Sequence, residues 1–176
     1  MPLATVCSAR ASLHSPALTI VRALGTGDAP ACDAIIASLP YHFGDETGRA
    51  KAAEAVRCES GLVAVQSDKV VGFLTWAPRF DEAAEITWMA VHRDHRRRGI
   101  GRLLLERLVA DLGRLGKTVL LVLTVSPHGD EDSPADGYPA TRAFYTAMGF
   151  ILARDLPREW PNDTAVMMVR PILHSE

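Results

Sequence analysis

The chain has little of what marks several large protein classes. Its three cysteines, Cys7, Cys32 and Cys58, are odd in number and scattered. They form neither a disulfide framework nor a zinc-ligand spacing, so no metal is expected and a reducing, cytoplasmic setting is. No apolar run is long enough to span a bilayer, so no membrane association is expected. Met1 to Pro16 is small and polar with one arginine. It lacks a charged start followed by a continuous apolar core, so no secretory leader is expected. Neither sign of charge dominates: 19 Lys and Arg face 21 Asp and Glu, for a net charge of -2. That balance argues against a nucleic-acid partner. Internal repeats are absent, and no linker suggests a second domain.

What remains is a globular composition. With 176 residues and 48% hydrophobic content, the chain can bury a sizeable core in one domain. Residues 1–17 read as a loose lead-in and 18–172 as the domain. Leu18 to Leu24 is apolar enough for a first strand. Asp28 then caps a helix through Leu39, with Pro30 in its first turn. Glu46 to Cys58 reads as a second helix. Leu62 to Gln66 and Val70 to Trp76 read as a hairpin around Ser67, Asp68 and Lys69. Glu85 to Val91 is the next strand. Thr118 to Val125 is a continuous apolar run fit for a buried central strand, parallel to the one before it. A helix from Pro139 to Met148 and strands Phe150–Ala153 and Thr164–Val169 close the order, which is that of an α/β protein.

The most informative stretch runs from Glu85 to Leu105. It reads as a strand, a basic glycine turn and an amphipathic helix whose stripe is Ile100, Leu104, Leu108, Leu112 and Leu115. A turn of this kind presents unpaired backbone N–H groups at a helix N-terminus, where the helix dipole favours an anion. Gly99 and Gly101 let a ligand approach the backbone. Arg96, Arg97, Arg98 and Arg102 surround the turn with positive charge. A pyrophosphate is the natural guest. A Walker A loop would need Gly-Lys-Ser/Thr at its end, and Arg102 and Leu103 stand there; a Rossmann fingerprint would need a small residue where Leu104 stands.

The remaining pattern, Arg-x-x-Gly-x-Gly from Arg96 to Gly101, resembles the coenzyme A loop of the GNAT acyltransferase superfamily. Thr141-Arg-Ala-Phe-Tyr145-Thr-Ala-Met-Gly-Phe150 resembles that family's late helix-to-strand motif, and the loop from Thr124 with Gly137 and Tyr138 looks like a bacterial-type subgroup. The resemblance covers nearly the whole chain. It implies a mixed central sheet of six or seven strands, splayed between two parallel strands and flanked by about four helices. It implies an acetyl-CoA-dependent N-acetyltransferase that moves an acetyl group to a primary amine of a small molecule or peptide by direct attack in a ternary complex. The alternative is a non-catalytic acyl-CoA-binding or regulatory module. In one departure, Tyr138 stands where many members carry an asparagine that holds the pantetheine arm.

Residue roles follow from the same resemblance. Met89, Ala90 and Val91 match the strand that pairs with pantetheine, with the Ala90 N–H as the expected polariser of the thioester carbonyl. Residues Arg96, Arg97, Arg98, Gly99, Ile100, Gly101 and Arg102 would hold the pyrophosphate. Tyr145 is the expected general acid, since a phenol stays protonated at neutral pH, and it would touch the cofactor. Phe144 and Tyr145 are not expected to face the core together. Glu85 is the expected general base, its pKa raised beside Trp76 and Trp88, with Glu82 as fallback. Tyr41, His42, Phe43 and Trp88 are candidates for the amine acceptor. His92 and His95 read as loop surface, and Trp160 as packing. His128, Asp130, Glu131 and Asp132 form an acidic loop. No cysteine has an activating partner, so no covalent route is expected. A homodimer through an edge strand is compatible with the pattern.

Overall fold

Alternation of apolar residues over the first half of the chain builds a meander. The computed structural model describes residues 18–40, 42–43, 46–128, 138–157, 159–160 and 164–173. Strand β1 (Thr19–Ala23) leads through a short 3-10 turn, Thr26–Asp28, to helix α1 (Ala29–Ala37). Pro30 sits in the first turn of α1, where a missing N–H costs nothing. Asp28 does not cap that helix with its side chain. It instead accepts from Arg22 Nη1 at 2.6 Å, Arg22 Nη2 at 2.8 Å and the Gly25 amide at 2.9 Å, which ties β1 to the start of α1. Helix α2 (Glu46–Cys58) has the bounds expected from sequence.

Strands β2 (Ser60–Gln66) and β3 (Lys69–Pro78) form the hairpin. Its turn places both Ser67 and Asp68 at positive φ, as a tight two-residue hairpin turn requires. Strand β4 (Ala83–Val91) returns antiparallel to β3, helix α3 (Ile100–Arg114) crosses over, and β5 (Val119–Val125) lies parallel to β4. Helix α4 (Tyr138–Ala147) precedes β6 (Ile151–Leu156) and β7 (Ala165–Pro171). The seven strands form one sheet in the order β1-β2-β3-β4-β5-β7-β6, antiparallel except at β4–β5. β7 therefore inserts between β5 and β6, and β6 is left as an edge.

Two cores form, one on each face. Leu104, Leu105, Leu108 and Leu112 of α3 join Ile86, Leu120, Val122, Met168, Tyr145 and Phe150 on one face. Cys32, Ile35 and Ile36 of α1 and Ala52 and Val56 of α2 join Val63, Phe73 and Ala90 on the other. Burial of the α3 stripe supplies most of its stability, at about 25 cal/mol per Å² of apolar surface removed from water. No helix among the described residues is long and apolar enough to cross a membrane.

Candidate active site

The site begins with a mismatch between two parallel strands. β4 pairs with β5 only from Ala83 to Ile86, opposite Val119 to Val122. Beyond Ile86 both strands continue, β4 to Val91 and β5 to Val125, without pairing. The cause lies in β4 itself. On its other side Thr75 pairs with Trp88 while Trp76 pairs with Ile86, so Thr87 is an extra residue in β4. Such a bulge bends and twists its strand, and here it turns β4 away from β5.

The bulge also resets which face each side chain takes. Ala84 and Ile86 before it belong to the α3 core, and so do Met89 and Val91 after it, whereas Trp88 and Ala90 turn to the α1–α2 core. The backbone follows the same phase. The His92 amide donates to the Val71 carbonyl at 2.9 Å. In an antiparallel ladder that role alternates, so Ala90 and Trp88 also bond toward β3. The amides of Met89 and Val91 then face the gap. Ala90 is thus turned away from the position expected of it, and Met89 takes that position.

At the mouth of the gap the glycine turn opens α3. Arg97 at φ 62° and Gly99 at φ 79° are both left-handed. The first helical bond is from the Leu103 amide to the Gly99 carbonyl, and no side chain caps the helix. The amides of Ile100, Gly101 and Arg102 therefore have no partner within α3. The two glycines serve different ends. A Cβ at Gly99 would meet nothing within 4 Å, so its requirement is the positive φ. A Cβ at Gly101 would stand 3.0 Å from Met89 Cε and 3.4 Å from the Phe144 ring, so its requirement is close packing of helix, strand and α4. Arg96, Arg97, Arg98 and Arg102 are all exposed around the turn.

Tyr145 comes from α4 and is only 6% exposed. Its ring packs edge-on against Phe144 at 5.3 Å and Phe150 at 5.2 Å. Phe144 also lies against the same core, so Phe144 and Tyr145 both meet it, contrary to the expectation that only one would. The amphipathic stripe of this short helix is wide enough to hold both. Burial pushes the Tyr145 phenol above its ordinary value of 10. Its hydroxyl makes no hydrogen bond among the described residues.

Glu85 stands one residue before the end of β4–β5 pairing. The setting expected for it was apolar, between Trp76 and Trp88. Instead those tryptophans lie on opposite faces of the sheet, and Arg79 Nε donates to Glu85 Oε2 at 2.6 Å. Glu82 is exposed, and its carbonyl accepts from Thr118 and Val119 amides. Nearby, Thr87 Oγ1 donates to Glu59 Oε2 and lies 2.7 Å from Thr75 Oγ1. Sequence reading passed over Glu59, because a charged residue just past a helix end looks like a solvated cap.

The acceptor candidates divide. Tyr41 lies outside the described residues. Phe43 is 5% exposed and stacks on the half-buried Trp88 with centroids 5.7 Å apart, so it belongs to the core. His42 Nε2 lies 3.4 Å from Arg96 Nη1, and burial first, then Arg96, pushes its imidazole below the ordinary value. Asp130, Glu131 and Asp132 lie outside the described residues, while His128 Nδ1 is 3.0 Å from Asp155 Oδ2. Trp160 is half-buried. Cys32 is fully buried, with its thiol pushed up to about 12, unsuited to nucleophilic work. Cys58 is exposed, and Cys7 lies outside the described residues.

Comparison with known proteins matches the acetyltransferase (GNAT) domain over residues 58–152, more than half of the chain. The chain belongs to the GNAT acetyltransferase family. The match spans both the glycine turn and α4. Solved structures share the fold. A Desulfovibrio desulfuricans protein assigned to the GNAT family is 20% identical, with TM-score 0.74 over 89% of this chain and 100% of that one. The ribosomal-protein-S18-alanine N-acetyltransferase of Escherichia coli is 23% identical, with TM-score 0.70 over 90% and 97%. An aminoglycoside 6'-N-acetyltransferase solved with coenzyme A is 14% identical, with TM-score 0.69 over 89% and 99%. No curated protein matches the sequence. For this GNAT chain the family and the seven-stranded splayed sheet agree with the reading of its sequence. The Thr87 bulge and the Arg79–Glu85 pair were not legible there.

Proposed function

We propose that the protein is an acetyl-CoA-dependent N-acetyltransferase acting on a primary amine of a small molecule or peptide. The observation that carries this reading is the alignment of two features. An unpaired strand edge from Thr87 to Val91 leads to an uncapped helix N-terminus at Ile100. A phosphate-bearing, extended thioester fits that combination. The free amides of Ile100, Gly101 and Arg102 suit the pyrophosphate oxygens, and the β4 edge suits the pantetheine amides. The exposed arginines add attraction screened by salt.

Bound acetyl-CoA would supply an acetyl group activated as a thioester. The chain's own residues supply the rest. The Met89 amide, facing the gap, is the donor for the thioester carbonyl in place of Ala90. Tyr145 holds a proton on its hydroxyl for the departing sulfur, and burial keeps that proton in place across the working pH range. Glu85 has one oxygen engaged by Arg79, and its Oε1 is left to orient the amine and take its proton. Trp88, with Phe43 stacked on it, borders the acceptor side, whereas His42 lies against Arg96 of the glycine turn, at the pyrophosphate end.

The test is a thiol-release assay over a panel of primary amines, read together with mass spectrometry of the products. Acetylated amine formed in step with free thiol supports the reading. Cofactor binding with no transfer to any amine, aminoglycoside or peptide N-terminus would favour the acyl-CoA-binding module instead.

A further inference from the structure

We propose that Glu59 is a positioning residue that locks the β4 bulge, and through it the strand edge used by the cofactor; this rests on the acetyl-CoA reading above. Thr87 is the extra residue of β4, and β4–β5 pairing stops just before it. Its hydroxyl has a single proton, which goes to the Glu59 carboxylate. Thr75 must then donate to Thr87 across the 2.7 Å between their oxygens. The chain therefore runs in one direction, from β3 through the bulge to a carboxylate at the junction of α2 and β2. Thr75 is completely buried, so without Thr87 its hydroxyl would have no partner. Glu59 is itself fixed, since its amide donates to the Ala55 carbonyl at 2.9 Å and Ser60 already pairs with Trp76.

The consequence reaches the cofactor edge by geometry. Losing the extra residue from the ladder would shift β4 by one position against β3 and exchange the faces of every residue from Trp88 to Val91. Met89 would leave Gly101, Trp88 would leave Phe43, and the amides of Met89 and Val91 would turn from the gap. A carboxylate that holds Thr87 in place opposes that slip. The hydrogen bond that Glu59 accepts comes from Thr87, and the Glu59 charge also acts on Arg79, the partner of Glu85. The part of Glu59 as a positioning residue is to hold the strand.

Three variants test this: Glu59→Ala, Thr87→Val and Glu59→Gln, whose amide oxygen can accept the same hydrogen bond. Hydrogen exchange of the peptide covering residues 87–91 is measured without ligand, and acetyl-CoA affinity is measured by calorimetry. Glu59→Ala and Thr87→Val should each alter exchange in that peptide and weaken acetyl-CoA binding by about tenfold. Glu59→Gln should restore both to within about threefold of wild type. If Glu59→Ala does not fold, Thr87→Val, which keeps a β-branched strand residue, reads the same bond. Unchanged exchange over residues 87–91 in the folded variants would overturn the proposal, as would a Gln variant no better than Ala. Failure of the wild type to bind acetyl-CoA would overturn the cofactor reading alone, because the exchange measurement still decides the lock.

Discussion

Replacing Tyr145 with phenylalanine removes one oxygen from the site and leaves the packing intact. The ring keeps its edge-on contacts with Phe144 at 5.3 Å and Phe150 at 5.2 Å. The lost hydroxyl has no hydrogen-bond partner among the described residues, so no partner is orphaned. Stability should therefore hold to within about 1 kcal/mol. A positioned general acid contributes about 10²- to 10⁴-fold in rate, equivalent to about 3–5 kcal/mol of barrier. Thus kcat should fall by about a hundredfold or more. The acetyl-CoA dissociation constant should stay within about threefold, because the hydroxyl is offered to the departing sulfur rather than to the bound ground state. Burial raises the phenol above 10, so the acid form persists as pH rises and should impose no alkaline fall in wild-type kcat below about pH 10. The assay is thiol release at saturating acetyl-CoA, with an amine found in the panel, alongside thermal unfolding and calorimetry. A kcat within about twofold of wild type in a folded variant would refute the acid role and leave Tyr145 as packing.

Other outcomes follow from the same geometry. Gly99→Asp should weaken acetyl-CoA binding by about a hundredfold, since a carboxylate about 5 Å from one pyrophosphate charge costs about 3 kcal/mol at an effective dielectric of 20. Gly99→Asn, neutral and tolerant of positive φ, should lose less than about tenfold by the same calorimetry; equal losses would remove charge as the cause. Gly101→Asp should lower the melting temperature as well as affinity, because it presses a carboxylate against Met89 and Phe144; an unchanged melting curve would contradict the packing role. Arg22 donates to Asp28 and holds its carboxyl below the usual range, so the stability it adds is present above the unfolded pKa of about 4 and is lost as pH falls through the folded one. Asp28→Asn should flatten that acid limb in urea titrations, and an identical acid profile would show the pair to be idle.

Strong local patterns were legible from sequence, and geometry set between strands was not. Helix α2 was legible over its full length, and the glycine turn through its Arg-x-x-Gly-x-Gly pattern ahead of an amphipathic helix. The α3 stripe marked Ile100, Leu104, Leu108 and Leu112 as buried, as they are, but Leu115 falls at the C-cap beyond the last helical turn and is exposed. The bulge at Thr87 left no mark, because any residue can be the extra one and the choice depends on how β3 and β4 pair. Without that bulge, alternation assigns Ala90 to the gap; with it, Met89 and Val91 face there. The Arg79–Glu85 pair was hidden for a similar reason. The two residues are joined by a tight connection whose path decides whether their side chains meet. Tyr145 and Phe144 were judged on a narrow helix stripe, whereas α4 sits where it can press both rings into one core.

The most direct measurement is calorimetric titration of the wild-type protein with acetyl-CoA, beside Gly99→Asp. On this account the wild type should bind in the micromolar range, and the substitution should weaken that binding by about a hundredfold while the protein stays folded. A folded wild type that takes up no acetyl-CoA would contradict it, and the splayed strands and open helix end would then need another ligand.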